Sequence, residues 1–62
     1  MTITLDDGLH PCAYWCGVDA DDQWSNDAGK AIEFTHREDA DIEVKAARDS
    51  VHEALRASVV VL

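Results

Sequence analysis

With 62 residues, 13 acids against five bases and a formal net charge of −8, the chain is short enough for one domain and too anionic to hold a nucleic-acid backbone directly. Its hydrophobic fraction of 47% separates it from a disordered acidic tail, and no apolar run approaches the ~20 residues of a membrane span. A domain of this size buries only ~60% of the surface its unfolded chain exposes. Nine of its residues are alanines, so the core is expected to be thin. A supported ligand pocket of roughly 300 Å³ or more is then out of reach, and a non-enzymatic role is expected.

The N-terminus, MTITLDDG, has neither the basic start nor the apolar stretch of a secretory signal. The chain therefore reads as intracellular and cytoplasmic, where thiols stay reduced. Richness in Ala, Asp, Val and Arg with only two Lys suggests a GC-rich bacterial or phage gene, or a salt-adapted host.

In chain order, Thr2–Leu5 alternates and is β-branched, which predicts a strand with Ile3 and Leu5 on one face. Asp6-Asp7-Gly8 is a turn signal. Leu9–Val18 carries Pro11, both cysteines, Tyr14 and Trp15, and fits either a second strand or a tight knuckle. Asp19–Lys30 is polar and turn-rich and reads as an acidic loop. Trp24 within it must fold back over the core or face a partner. Ala31–Phe34 alternates again and predicts another strand, with Ile32 and Phe34 on one face.

Thr35-His36-Arg37-Glu38 matches a capping box, with Thr35 as N-cap and Glu38 reaching back. A helix from there to about Ser58 aligns Ala40, Val44, Ala47, Val51, Ala54, Leu55 and Ser58 on one stripe, with Arg48 snorkelling and Asp41–Lys45 as an i,i+4 pair. This parse leaves Ile42 outside. A rival pairs Ile32–His36 with Ile42–Ala46 as a hairpin and starts the helix at Ser50, with Glu53 closing a second capping box. The long helix is preferred, because the rival strings strong helix formers into a strand. Val59–Leu62 is expected to pair with Thr2–Leu5 or to pack on the sheet, since an open apolar edge invites aggregation. The expected fold is α+β in a single domain, residues 1–62: two or three short antiparallel strands with one long C-terminal helix.

For chemistry, Cys12 and Cys16 are spaced to face one metal from a knuckle, and His10 and His36 could complete a Cys₂His₂ zinc set. His52 fits such a set less naturally. Two reduced cysteines acting as small hydrophobes, or a Cys12–Cys16 disulfide, are the other readings. The Cys12, Trp15 and Cys16 pattern resembles the Cys-x-x-Trp-Cys element of short actinobacterial and actinophage proteins of unknown function. That element is followed by histidines, whereas residues 18–35 here contain none. The resemblance implies no activity.

Counted as a calcium loop from Asp19, oxygen-bearing side chains fall at Asp19, Asp21, Gln23, Ser25 and Asp27. Trp24 stands where the loop needs glycine, and Lys30 where it needs the bidentate Glu, which excludes an EF-hand. No motif joins Cys12 or Cys16 to His10 or His36 as nucleophile and base. The acids Asp19, Asp21, Asp22 and Asp27, with Glu38, Asp39, Glu43, Asp49 and Glu53, could imitate a phosphate track, or simply solvate a small domain. A basic protein partner met through Asp19, Asp21, Asp22, Trp24 and Asp27, with aromatic anchors from Tyr14, Trp15 and Trp24, is the leading functional expectation. Association between copies through Val59–Leu62 is a further one. A zinc-stapled adaptor using Cys12, Cys16 and histidine is the alternative.

Overall fold

The computed structural model describes residues 1–6 and 13–62. Four short strands form one antiparallel sheet in the order β3-β2-β1-β4: β1 (Ile3–Leu5), β2 (Ala13–Trp15), β3 (Trp24–Ser25) and β4 (Val59–Val61). One α-helix, α1 (Arg37–Asp49), packs against the sheet. The α+β class is as expected, with four strands where two or three were anticipated, and with the main helix inside the chain instead of at its end. None of the helices is long and apolar enough to cross a membrane among the described residues.

The register follows from alternation. Ile3 faces Val61, Leu5 faces both Val59 and Ala13, and Trp15 faces Trp24. Because side chains alternate between faces, Ile3, Leu5, Trp15, Trp24, Val59 and Val61 share the face that meets the core. The anticipated pairing of Val59–Leu62 with Thr2–Leu5 is realised, extended by mutual backbone bonds between Thr2 and Leu62. The fourth strand arises inside the acidic loop: Trp24 lies across from Trp15, and burying that pair of rings outweighs the polar character of its neighbours.

Ala31–Phe34 is not a strand of the sheet. The Ile32 N–H donates to the Trp15 carbonyl and the Phe34 N–H to the Met1 carbonyl. The segment therefore passes from the end of β2 to the start of β1. Its alternation is real but serves to tuck Ile32 and Phe34 against the core. The N-terminal ammonium closes this corner, donating to the Phe34 carbonyl at 2.9 Å and to Glu33 Oε1 at 2.6 Å.

In α1 the buried positions are Ala40 and Ala47, and small side chains there let the helix sit close to the sheet. Val44 packs beside them, and Ile42 points outward, 75% exposed. Glu38 and Asp39 in the first turn and Arg48 in the last complement the helix dipole. The N-cap is His36, not Thr35, and it makes no side-chain cap bond. With Phe34 tied to Met1, the chain bends after that anchor and the first turn closes on the His36 carbonyl. Asp41 pairs with Arg37 at 3.8 Å and not with Lys45.

The helix also stops at Asp49, short of the expected Ser58. A continuous helix from Arg37 to Ser58 would run about 33 Å at ~1.5 Å per residue, longer than the 28 Å maximum extent of the molecule. It would also carry β4 away from β1. Instead Ser50 caps the end, its hydroxyl donating to the Ala47 carbonyl at 2.7 Å. His52 then turns extended and its Nδ1 accepts from the Ala54 N–H, opening a 3-10 segment, Glu53–Ser58, that leads into β4. The Ser50–Glu53 capping box therefore does not form; Ser50 ends one helix and His52 starts the next.

Two indole N–H groups hold α1 to the sheet. Trp15, fully buried, donates to Glu43 Oε1 at 3.1 Å, and Trp24 donates to Ser50 Oγ at 2.8 Å. The rings lie 5.1 Å apart at 57°, a tilted geometry that aromatic pairs favour. In a double-mutant cycle, Trp24→Phe and Ser50→Ala should each cost about 1 kcal/mol of hydrogen bonding, plus the lost ring area for the former, with a coupling energy of about 1 kcal/mol. Urea denaturation measures it, and strict additivity would remove this bond from the account.

Thr4, in the middle of the central pairing, is fully buried, and its hydroxyl has no partner among the described residues. A buried unpaired hydroxyl costs about 1–3 kcal/mol. Thr4→Val keeps shape and β-branching while deleting that hydroxyl. It should therefore raise stability by about 1 kcal/mol, read as a higher denaturation midpoint at unchanged slope.

Candidate functional site

Three of the acids singled out in the sequence, Asp19, Asp21 and Asp22, lie on a hairpin tip. β2 and β3 pair antiparallel, and the Cys16 N–H donates to the Gln23 carbonyl at 2.7 Å, closing the ladder just before the loop. Gly17 makes the exit possible. Its φ of +111° is a conformation that side chains rarely adopt, and a Cβ there would stand 3.2 Å from Ile32 Cδ1. The Ala20 N–H returns to the Gly17 carbonyl, and the Gln23 side-chain amide donates to the Val18 carbonyl. Asp19, Asp21 and Asp22 are exposed on this tip.

Asp27 is exposed as well but has local work. Its Oδ1 accepts from the Gly29 N–H at 2.9 Å, capping a single 3-10 turn, Ala28–Lys30. That turn brings Lys30 back toward the tip, where Cys16, Ala20, Asp21, Asp22 and Lys30 line an open depression of about 340 Å³. It is shallow, polar at its rim and backed by one half-buried thiol. Cys16 carries a free thiol, whose nearest partner is the Tyr14 carbonyl at 3.5 Å. The disulfide reading pairs Cys16 with Cys12, which lies outside the described residues.

Of the residues expected to meet a partner, Asp19, Asp21 and Asp22 are exposed in the β2–β3 connection, and Asp27 is exposed in the turn that follows β3. Trp24 has folded back over the core: it is half-buried, set at a tilt against Trp15 and bonded to Ser50. Trp15 is wholly internal and Tyr14 half-buried, which leaves the tip without a free aromatic anchor. On the helix, Glu38, Asp39 and Asp49 are exposed, as is Glu53 beyond it, but Glu43 is half-buried and bonded to Trp15. It leaves the anionic track for a structural role that its charge alone did not reveal.

Of the metal candidates, His10 and Cys12 lie outside the described residues. Cys16 faces the depression, and His36 is the exposed N-cap of α1. Among the described residues no group of three or more His, Cys, Asp or Glu side chains converges as a metal-holding cluster. What the tip can offer chemically is negative charge and backbone carbonyls in an open, solvated arrangement.

The chain matches no protein-family model, no curated protein and no solved structure.

The exposed tip acids should be dispensable for folding. Asp19→Asn, Asp21→Asn and Asp22→Asn together should move stability by no more than about 0.5 kcal/mol per site, whereas Asp27→Ala should cost about 1 kcal/mol for its cap. Thermal unfolding of the two variants distinguishes them, and a collapse of the triple variant would show that the acids serve the fold.

Proposed function

We propose that the chain is a small acidic binding protein that occupies a basic groove on a larger protein and thereby modulates or inhibits it, for example as a phage-encoded inhibitor of a nucleic-acid-binding or defence protein. The observation that carries this reading is the clustering of Asp19, Asp21 and Asp22 on one exposed hairpin tip, followed by Asp27 on the next turn, with Lys30 the sole cation in the segment. A hairpin tip is narrow and supported by the ladder behind it, so it can enter a groove shaped for a phosphate backbone. Net charge of −8 draws a basic protein from a distance, and the tip supplies the close contacts.

The mechanism is occupation. Asp carboxylates accept hydrogen bonds from Arg and Lys in place of phosphate oxygens, and the body of the sheet blocks the groove against nucleic acid. The open, shallow depression beside the tip supports a contact surface and not a substrate pocket.

Tagged protein should retain a basic protein from host extract at about 50 mM salt and release most of it at about 300 mM, because the Debye length contracts from over 10 Å to under 8 Å. Asp19→Asn/Asp21→Asn/Asp22→Asn should weaken retention of that same protein at least tenfold, and a nucleic acid should compete it off. Salt-insensitive retention, or an unimpaired triple variant, would overturn the proposal.

A further inference from the structure

The passage from α1 to β4 turns on one imidazole. The helix ends at Ser50, and the 3-10 segment Glu53–Ser58 starts from His52. The His52 Nδ1 accepts from the Ala54 N–H at 3.2 Å, and its backbone carbonyl accepts from the Leu55 N–H at 2.8 Å. We infer that His52 is an acid-sensitive latch: protonation of its ring removes the cap and loosens the segment that delivers β4 to the sheet. The device is separate from the acidic tip, and its test does not depend on the function proposed above.

The choice of capping residue carries the argument. Caps are ordinarily Ser, Thr, Asp or Asn, whose oxygen accepts throughout the neutral range. An imidazole Nδ1 accepts only while it is unprotonated, with the ring proton on Nε2; in the imidazolium both nitrogens are donors. A histidine cap therefore ties a backbone bond to the side chain whose charge ordinarily changes between about pH 5 and 8. His52 is exposed, so protons reach it without any opening of the fold. On protonation the ring would set a donor against the Ala54 N–H, and an attraction would become a repulsion. The sign follows: the stabilisation from this bond is present at neutral pH and is lost on acidification. His36 stands in contrast, since it is the N-cap of α1 but makes no side-chain cap bond.

The charges around the latch leave this dependence in place. The 3-10 segment packs against α1, β1 and β4. β1 and β4 contribute no titratable side chain, and Asp6 follows β1. α1 brings Arg48 and Asp49 at its C-terminal end, and the segment itself carries Glu53 and Arg56. Asp49 and Glu53 lie three positions and one position from His52 in sequence. Their attraction for an imidazolium is therefore present in the unfolded chain too, whereas the Ala54 bond exists only in the folded one. β4 depends on the segment. The Ser58 carbonyl accepts from the Asp6 N–H, and the Arg56 carbonyl accepts from the Val59 N–H, so the 3-10 turn sets where the strand begins. Val59, its first residue, is fully buried in the core.

Urea denaturation at about pH 7.5 and about pH 5.5, on either side of the ordinary imidazole range and above that of carboxylates, reads the latch. Between the two, the unfolding equilibrium constant of the unsubstituted chain should rise about fivefold more than that of His52→Asn, whose amide oxygen caps without titrating. His10 and His36 are common to both chains, so the difference isolates His52. His52→Ala lacks the cap at either pH. It should be about fivefold less stable than the unsubstituted chain at about pH 7.5 and should share the weaker pH dependence of His52→Asn. In the unsubstituted chain, the Ala54 amide resonance should titrate together with the His52 ring, a readout that needs no variant. Three results would overturn the inference: equal pH dependence with and without His52→Asn, unchanged stability of His52→Ala at about pH 7.5, or an Ala54 amide that does not follow the ring.

Discussion

The fold rests on the placement of two indoles. Trp15 and Trp24 face one another across β2 and β3, and each ring carries one N–H that must find an acceptor once it is out of water. The acceptors are Glu43 on α1 and Ser50 at its C-cap, seven positions apart, two helical turns or about 10.5 Å. Fixing two points that far apart sets both the rotation of the helix about its axis and its position along the sheet. Full burial of one Trp removes about 150–250 Å² from water, on the order of 4–6 kcal/mol as an upper bound. A chain of this size has a net stability of only about 3–5 kcal/mol. Strands of two and three residues could not hold a sheet together without that contribution.

Several features of the fold follow from the same constraint. Because Ser50 is engaged by Trp24 and also back-bonds to Ala47, α1 ends there, and the chain must return by a short 3-10 segment to place β4 beside β1. Because Glu43 is bonded to Trp15, the helix presents Ala40 and Ala47 to the sheet, Ile42 to solvent and the Arg37–Arg48 row to the β4 side.

Much of this was legible in the sequence, and the remainder was hidden for identifiable reasons. Alternation in Thr2–Leu5 and Val59–Leu62 identified the two strands that pair, and the apolar stripe from Ala40 through Val44 to Ala47 identified the helix and its buried face. The stripe continues through Val51, Ala54 and Leu55, so periodicity alone could not show the stop; the bonds made by Ser50 and His52 set it. Trp24 was concealed as a strand residue by its neighbours, since Asp, Gln, Ser and Asn on either side read as loop. Ala31–Phe34 has the period of a strand but crosses the sheet end. The roles of Glu43 and Ser50 are products of tertiary contact between segments distant in sequence, which no local pattern encodes.

The use of aromatics constrains how such a chain can recognise anything. It has two Trp, one Tyr and one Phe; Trp15 is buried, the other three are half-buried, and Trp15, Trp24 and Phe34 pack in or against the core. Protein interfaces commonly draw their strongest contacts from Trp, Tyr and Arg in desolvated pockets. Here the tryptophans are committed to the fold, and the exposed large apolar residues, Val18, Ile42, Leu55, Val60 and Leu62, are scattered over different elements. What remains at the surface of the described residues in organised form is charge, negative at the β2–β3 tip and locally positive where Arg37 and Arg48 lie along α1. Recognition by charge is fast and steerable but strongly screened by salt, and it selects partners by electrostatic sign more than by the fit of a single side chain.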